Sequence, residues 1–380
     1  AMIPAVGCTP RRMAGALGVA LCAIAGPVHA QGGTSGAGDT SVTVAVGAFV
    51  DGYYAWDTDR PVEFDRSFTT QPARHAEFNV NLAYIDARIT GPRIRGRIAL
   101  QAGTSVQANA SGEPRIGAVS GPSVSQFIQE AIVGYRVSPS LWLDGGIFFS
   151  HIGSEGFISR DNPTYTRSLV SDFTPFYESG VKATWSPSSA VTAQFVVVNG
   201  WQNVSAENSD PAVGVRVDVA VARSLTLSYD NFIGNVAPDT SRASIRVFNE
   251  VIVQSTPSAD WQLVGTFDVG TQSNVVGAGG TATWYGASVV ARRRVTGRVW
   301  VVGRVERLAD PDQALVRTAL PAAFETNSAS LGVDVALAPR LLWRVEVRGY
   351  DSSHAILPTH AAGRYAAQDA LAVTSLALTM

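Results

Sequence analysis

The stretch VRVDVAVARSLTLSYD, residues 215–230, alternates apolar and polar side chains almost without a break. Valines at every second position from Val215 to Val221 share one parity, and the alternation resumes at Leu225 and Leu227 after a short interruption. Successive side chains of a strand point to opposite faces, so the stretch predicts a hairpin with one apolar and one polar face. The fold depends on which face meets water. The polar face lies outside in a soluble sandwich and inside in a membrane barrel.

The overall composition excludes two classes of protein. The chain has 380 residues, of which 46% are hydrophobic and only 16% are charged, and its formal net charge is -2. A disordered chain would contain fewer apolar residues, and a nucleic-acid-binding domain would contain a basic patch. We therefore expect a folded protein with no nucleic-acid partner.

The beginning of the chain has the order of a secretory signal. Two arginines precede an apolar run at 13–26, and a small-residue pattern ends at Ala30. This order, with an apolar run too short to span a bilayer, is typical of a cleaved signal peptide. We predict a signal peptide at residues 1–30 and one mature domain, a transmembrane β-barrel, at residues 31–380.

The mature chain must be stabilised without disulfide bonds. Both cysteines, Cys8 and Cys22, lie in the predicted signal peptide. No later stretch has 18 uninterrupted apolar residues, so a membrane protein of this sequence would have to cross with strands. A closed, hydrogen-bonded barrel satisfies both conditions.

The connections between the alternating segments differ in length in a regular way. Short turns rich in Pro, Ser, Gly and Asp alternate with long polar connections. The short turns are GPR (91–93), SPS (138–140), SPSSA (186–190), ARS (222–224), STPSAD (255–260), VTG (295–297) and APR (338–340). Seven short turns and eight long loops predict about sixteen strands, within a range of roughly 14 to 18. This asymmetry is typical of outer-membrane barrels, with short periplasmic turns and long extracellular loops. The predicted fold is therefore an all-β, antiparallel, up-and-down transmembrane barrel in the outer membrane of a Gram-negative bacterium.

The positions of the tryptophans also indicate a membrane protein. Trp185, Trp261 and Trp343 lie beside short turns and share the parity of the apolar residues of their strands. Trp and Tyr concentrate at the level of the lipid headgroups, where an apolar ring and a polar N–H or O–H are both satisfied. Trp142 differs, because its parity is that of Asp144.

The same parity collects the charged residues of the strands on one face. An Arg or Lys at the lipid midplane would cost roughly 2 to 4 kcal/mol, so we expect this face to line the interior. Such residues can be scaffold pairs across neighbouring strands, or can set the field that a solute meets. Their signs are nearly balanced, which predicts weak ion selectivity, with the first three arginines as a local exception. The predicted interior residues are Arg93, Arg95, Arg97, Glu130, Asp144, Glu178, Lys182, Arg216, Asp218, Asp230, Arg246, Glu250, Asp268, Arg304, Glu306, Arg344, Glu346 and Arg348.

One long connection, residues 153–176, is a candidate constriction loop. It combines unusual length with aromatic rings and charges of both signs. Our hypothesis is that it folds into the barrel and narrows it. Its candidate residues are Glu155, Arg160, Asp161, Arg167 and Asp172.

Four segments resemble the OmpL-like beta-barrel porin family. They are IGSEGFISRDNPTYTRSLVSDFTPFYESGVKATW (152–185), VVNGWQN (197–203), GRVERLADPDQ (303–313) and WRVEVRGYDSS (343–353). The resemblance implies an outer-membrane barrel and a channel, with no defined substrate and no catalytic residues. One departure is the chain's last residue, Met380, where barrels of this class commonly have an aromatic ring that assists assembly.

Three classes of function remain. The first is a channel for passive diffusion of small hydrophilic solutes. The second is a receptor or adhesin that acts through its long loops. The third is a hydrolase at the rim, for which His151 with Ser150 and Glu155 is the only candidate. We expect no cofactor and no metal site. The expected partners are outer-membrane lipid, the solutes and the outer-membrane assembly machinery, and a homotrimer is left open.

Overall fold

The computed structural model describes residues 41–275 and 280–380, so the predicted signal peptide lies outside the described residues. Within them, sixteen strands form one closed antiparallel barrel. Its strands are β1 Thr43–Asp57, β2 Phe78–Thr90, β3 Ile94–Ala102, β4 Ile128–Ser138, β5 Leu141–Phe149, β6 Tyr177–Ser188, β7 Val191–Val198, β8 Ala212–Ala222, β9 Leu225–Asn235, β10 Ile245–Ser258, β11 Trp261–Ser273, β12 Thr281–Arg294, β13 Val299–Asp310, β14 Phe324–Ala338, β15 Leu341–Ser352 and β18 Gln368–Thr379.

The remaining elements are short and belong to the long connections. They are α1 Thr104–Asn109, α2 Pro122–Ser125, a 3-10 turn at Ser159–Asp161, α3 Leu169–Asp172, and a small hairpin of β16 Leu357–Pro358 with β17 Tyr365–Ala366. None of the helices in the described ranges has the length and apolar character that a membrane span needs.

The barrel is closed by its first and last strands. β1 pairs with β2 on one side and with β18 on the other, where Phe49 lies opposite Thr379 and Asp57 lies opposite Leu371. Every other barrel strand pairs with its neighbours along the chain, which confirms the predicted up-and-down order. Closure pairs the backbone of all the barrel strands, a condition that hydrocarbon imposes because it offers no alternative partners.

The connections alternate as predicted. All seven short turns join consecutive strands; for example, only residues 139–140 separate β4 from β5, and residues 339–340 separate β14 from β15. The long connections lie at the opposite end of the barrel. The predicted count of about sixteen strands is confirmed.

The apolar parity of the strands forms the outer surface. Val289, Val305 and Leu331 are 56%, 60% and 57% exposed although each lies within a strand. In the opening stretch, Val221 is exposed and Asp230 is buried inside the barrel. A continuous exposed apolar surface of this kind is the lipid-facing band of a membrane barrel.

Tryptophan side chains follow their predicted sides of the wall. Trp185, Trp261 and Trp343 are exposed on the outer surface beside short turns. The Trp343 indole N–H donates to Thr374 Oγ1 at 2.9 Å. Trp142 differs as its parity predicts, because its ring lies 4.4 Å from the guanidinium carbon of Arg95, an interior residue.

The half of the interior nearest the long loops departs from the polar lining that alternation predicts. Rings of Phe148, Phe232, Phe248 and Trp284 lie there with no exposed surface, in one hydrophobic cluster. These residues share the parity of the charged residues. They are covered because connecting segments fold inward over them, Leu169 of α3 among others. The parity of a strand cannot show what a distant loop places against it.

Arginine on the outer surface tests the orientation of the wall. Val289→Arg places a guanidinium in the middle of β12 and should reduce the free energy of unfolding by about 2 to 4 kcal/mol. Val295→Arg places the same group in the short turn after β12, where the cost should be about 0 to 1 kcal/mol. Urea titration of both variants in phospholipid vesicles measures the difference. Equal costs at the two depths would contradict a lipid-facing position for Val289.

Candidate functional site

The connection between β5 and β6, residues 150–176, lies inside the barrel; we call it the inner loop. It contains the 3-10 turn and α3, and α3 packs against the interior faces of β11, β12 and β13. Ser168 begins α3 as its N-cap, because its side chain accepts a hydrogen bond from the Ser171 N–H. The loop segment predicted as a constriction therefore lies within the barrel and crosses its interior.

Three buried arginines of the wall bind the main chain of the inner loop. Arg344 Nη1 donates to the Ser159 carbonyl at 2.7 Å. Arg304 Nη1 donates to the Thr166 carbonyl at 2.6 Å, and Arg348 Nη1 to the next carbonyl along the loop at 2.8 Å. Guanidinium groups suit this task because their donors form a fixed planar fork. The interior arginines of β13 and β15 thus use their hydrogen-bond donors to hold the inner loop.

Buried carboxylates of the same wall bind the loop's donors. Glu346 accepts the Thr166 N–H at 2.8 Å and the Thr166 hydroxyl at 2.7 Å. Glu306 accepts the Leu169 N–H at 2.5 Å and pairs with Arg348 at 2.7 Å. Acids and arginines therefore alternate along one continuous network, and each charge in it has a partner. Hydrogen bonds to charged groups contribute roughly 1.5 to 3 kcal/mol each, so the loop is firmly anchored.

The candidate residues in the first half of the inner loop have different positions. Glu155 is buried and accepts the Ser168 N–H at 2.7 Å, which braces the loop internally. Arg160 reaches the short-turn end of the barrel and donates to the Arg340 carbonyl at 3.2 Å. Asp161, beside it, is exposed at the tip.

The candidate residues in the second half of the loop are buried together. Arg167 donates to the Phe157 carbonyl at 3.0 Å, and its guanidinium lies 3.8 Å from the centre of the Phe176 ring. Asp172 accepts the Thr70 hydroxyl at 2.5 Å. Burial raises the pKa of the Asp172 carboxyl, and Arg167 opposes that effect. Both side chains brace the loop against its surroundings.

His151 ties the beginning of the inner loop to two strands. Its Nδ1 lies 2.9 Å from Glu178 Oε1, and its Nε2 lies 2.7 Å from the Asn231 carbonyl oxygen. A carbonyl only accepts, so Nε2 must carry a proton and cannot act as a base. Ser150 donates to Glu178 at 3.2 Å instead of to His151. This arrangement lacks the nucleophile–base hydrogen bond that a hydrolase needs.

The wall opposite the inner loop's anchors also holds paired charges. Arg95 donates to Asp144 at 2.7 Å, and Arg97 donates to Asp86 at 2.8 Å and also bonds to Glu130. Both arginines face the interior, where sequence parity puts them. They are neutralised by direct partners, so they do not form the free positive cluster that the sequence suggests.

Arg93 does not lie where its parity predicts. It is exposed in the short turn before β3, and its guanidinium contacts the hydroxyl of Tyr135, at 3.4 Å, on the outer surface. The alternation of β3 begins only at Ile94. A turn residue has no strand parity, so extending the alternation of β3 back to Arg93 predicted the wrong side of the wall for this residue.

Acidic residues on β9, β10 and β11 form a second charged feature. Asp230 lies directly opposite Glu250, which lies directly opposite Asp268. Arg216 reaches Asp230 at 3.3 Å and Asp218 at 3.0 Å. Both carboxylate oxygens of Glu250 and of Asp268 are buried and have no hydrogen-bond partner among the described residues. We call Asp230, Glu250 and Asp268 the acidic row.

The two remaining candidate cations contact aromatic rings. The Lys182 ammonium lies 4.3 Å from the Phe148 ring centre, and the Arg246 guanidinium lies 4.8 Å from that of Trp201. Apart from Arg93, all the predicted interior residues lie on the inner face: Arg95, Arg97, Glu130, Asp144, Glu178, Lys182, Arg216, Asp218, Asp230, Arg246, Glu250, Asp268, Arg304, Glu306, Arg344, Glu346 and Arg348.

Several other interior acids are missing from the sequence-based set, and Asp334 and Asp51 are two of them. Asp334 pairs with Arg344 at 2.8 Å and with Arg292 at 2.7 Å, and Asp51 accepts the Ser159 hydroxyl at 2.6 Å. Both share the interior parity of their strands, so the alternation rule could have found them. Across the described residues, no group of three or more His, Cys, Asp or Glu side chains is placed to hold a metal ion.

Comparison with known proteins agrees with this geometry. A family model described as "Putative beta-barrel porin-2, OmpL-like" matches residues 43–379. No curated protein matches the chain.

Several solved structures share the fold at low sequence identity. An anion-selective porin from Comamonas acidovorans is 13% identical, with a TM-score of 0.58 over 90% of this chain and 100% of that one. OmpF of Salmonella typhi, solved in complex with daunomycin, is 10% identical, with a TM-score of 0.59 over 89% and 98%. The trimer form of OmpT of Vibrio cholerae is 10% identical, with a TM-score of 0.54 over 90% and 100%.

The family match covers nearly all of the described residues, and the closed sixteen-strand barrel is the one found in outer-membrane porins. The chain is a member of the OmpL-like family of beta-barrel outer-membrane porins.

Proposed function

We propose that this porin is a passive, non-enzymatic channel through which small hydrophilic solutes cross the outer membrane. The observation that carries the proposal is the separation of the wall's two faces. Apolar side chains cover the outside, while the interior carries rows of charged and polar groups. A barrel of sixteen strands is wide enough for an aqueous channel, whose bore is then set by what folds into it.

The inner loop is the proposed constriction. It is anchored to β13 and β15 by the network of Arg304, Arg344, Arg348, Glu306 and Glu346, and these interior residues therefore act mainly as its scaffold. A loop held by several charge-assisted hydrogen bonds keeps a fixed position, so the bore should be constant rather than fluctuating.

Ion selectivity is proposed to be weak, with a small preference for cations. Most interior arginines have a carboxylate partner, and a pair of opposite charges produces little field at a distance. The acidic row differs, since Glu250 and Asp268 have no cationic partner among the described residues. These unpaired carboxyl groups are the largest departure from local charge pairing in the part of the wall that the structure describes.

Neither alternative function gains support from a specific contact. Both ring nitrogens of His151 are hydrogen-bonded, to Glu178 and to the Asn231 carbonyl. A hydrolase would therefore have no base to activate Ser150. Several of the extracellular loops, on which the receptor alternative is based, line a chamber over the channel. A homotrimer remains a proposal, supported by the trimer form of a fold relative.

Removing the inner loop tests the constriction. Deleting residues 156–172 should increase single-channel conductance several-fold in planar bilayers, because conductance grows with the open cross-section. Deleting residues 240–242, which are exposed in the connection between β9 and β10, is the control and should leave conductance unchanged. Conductance that stays at the wild-type value in the larger deletion would contradict the proposed role of the loop.

Neutralising the acidic row tests the source of selectivity. Glu250→Gln should lower the cation-over-anion permeability ratio by about twofold, because it removes the central one of three neighbouring ionisable carboxyl groups that lie within a Debye length of a passing ion. The reversal potential under a potassium chloride gradient measures this ratio. Asp312→Asn, in an exposed part of an extracellular loop, serves as the matched control. An unchanged reversal potential in Glu250→Gln would place the row off the permeation path.

His151 predicts a pH dependence of the loop's attachment. Burial disfavours its charged form, but Glu178 and the Asn231 carbonyl outweigh burial, so the pKa of His151 lies above its usual value. The contribution of protonated His151 to the free energy of unfolding is therefore fully present below about pH 6.5, and it is lost as the pH rises through the raised pKa of His151. Urea unfolding at several pH values should show this loss in the wild type, and His151→Gln should remove it. A wild type and variant with parallel pH profiles would refute the assignment.

A further inference from the structure

A chamber of about 860 Å³ lies on the extracellular side of the inner loop. Its walls come from the connections that follow β1, β3, β7, β13 and β15 and from the inner loop itself. Every solute entering from outside passes these loops before it reaches the wall charges. Its volume is within the range of small-molecule binding sites, which is roughly 300 to 1,000 Å³.

The chamber has partly exposed aromatic rings on one side. Phe68 and Phe173 lie 5.1 Å and 5.5 Å from the ring of Phe324, and Trp201 lies 5.0 Å from that of Phe232. Each chamber ring thus rests on the buried hydrophobic cluster and presents its other side to the chamber. Rings supported in this way keep their orientation, so they form a rigid apolar platform.

The segment that carries Trp201 is braced from both sides. Gly200 precedes it with φ of 151°, a conformation that favours glycine. Gln202 Oε1 accepts the Phe176 N–H at 2.7 Å, and Gln202 Nε2 donates to the Asn109 carbonyl at 3.2 Å. Trp201 is consequently positioned before any solute arrives.

One arginine of the chamber, Arg317, has no hydrogen-bond or ion-pair partner among the described residues, and Glu207 interacts with it only electrostatically at longer range. Arg66 is bound to Asp57 at 3.0 Å, and Arg74 is bound to Glu77 at 3.0 Å. Arg317 also lines the chamber, is exposed, and makes no hydrogen bond or ion pair with any described residue. It directly follows a turn that Asp310 holds by accepting three successive backbone N–H groups, the last from Val316 at 2.7 Å.

We propose that this chamber binds organic anions that join a carboxylate to an apolar ring. The ring lies on Trp201, Phe68 and Phe173, and the carboxylate takes a bidentate contact from the exposed Arg317 guanidinium. The inference deepens the proposed function, on which it rests, by naming a class of solute that the porin captures before passage. A neutral ring or a small carboxylate would use only one half of the site.

Current recordings on the full chain in planar bilayers test the class of solute. Benzoate added on the extracellular side should interrupt the single-channel current, with a half-maximal concentration about tenfold below those of benzyl alcohol and of acetate. If benzyl alcohol blocks as potently as benzoate, the carboxylate charge has no role. If acetate blocks as potently as benzoate, the ring has no role. Either result overturns the proposal.

Two variants and one control assign the residues. Arg317→Gln and Trp201→Leu should each weaken benzoate block about tenfold, measured as the fractional block relative to each variant's own current without benzoate. Arg242→Gln removes a guanidinium from another extracellular loop, outside the chamber. Benzoate should block this variant as strongly as it blocks the wild type. Unchanged block in Arg317→Gln, in protein whose folding is verified by circular dichroism, overturns the site.

A binding measurement separates this proposal from the proposed function. Benzoate should quench part of the tryptophan fluorescence of detergent-solubilised protein, and Trp201→Leu should abolish that saturable part. Saturable quenching in a protein that shows no conductance would refute the channel and retain the site. A conducting protein with neither block nor saturable quenching would refute the site and retain the channel.

Discussion

The whole molecule depends on the requirement that backbone N–H and C=O groups in hydrocarbon be paired within the protein. The barrel meets it by closing β1 onto β18, so that all sixteen strands have two neighbours. Closure separates an outside from an inside, and the two-residue period of a strand then sends alternate side chains to each. The exposed valines of the outer surface and the charged rows of the interior are two results of the same geometry.

Charges that must face inward are used here as structural anchors. Three wall arginines, Arg304, Arg344 and Arg348, donate hydrogen bonds to main-chain carbonyls of the inner loop. Two wall carboxylates, Glu306 and Glu346, accept hydrogen bonds from its N–H groups. Removing one member would leave the others buried without partners, which costs more than the lost bond. Interior charge in this porin is therefore mostly neutralised locally, and the acidic row stands out because Glu250 and Asp268 have no ion-pair partner among the described residues.

The interior also has an apolar region, which distinguishes its two ends. Near the extracellular loops, inward rings of the wall are covered by loop residues and form a hydrophobic cluster. This cluster supports the rings of the chamber above the inner loop, including Trp201. Toward the periplasmic end, charged side chains such as Arg216 and Asp218 are partly exposed. Along the barrel axis, the apolar cluster near the extracellular loops thus gives way to charged surface toward the periplasmic end.

The sequence by itself determined the strands, their number, the alternation of short and long connections, and the inner side of the wall for nearly every charged residue that it assigned there. It could do so because strand parity and turn chemistry are local properties. Only the tertiary structure decided which charges pair, that Arg93 lies outside, and that Phe232 and Trp284 are buried under folded loops. Those outcomes depend on contacts between residues far apart in the chain, such as Arg344 with Ser159, and no local period encodes them.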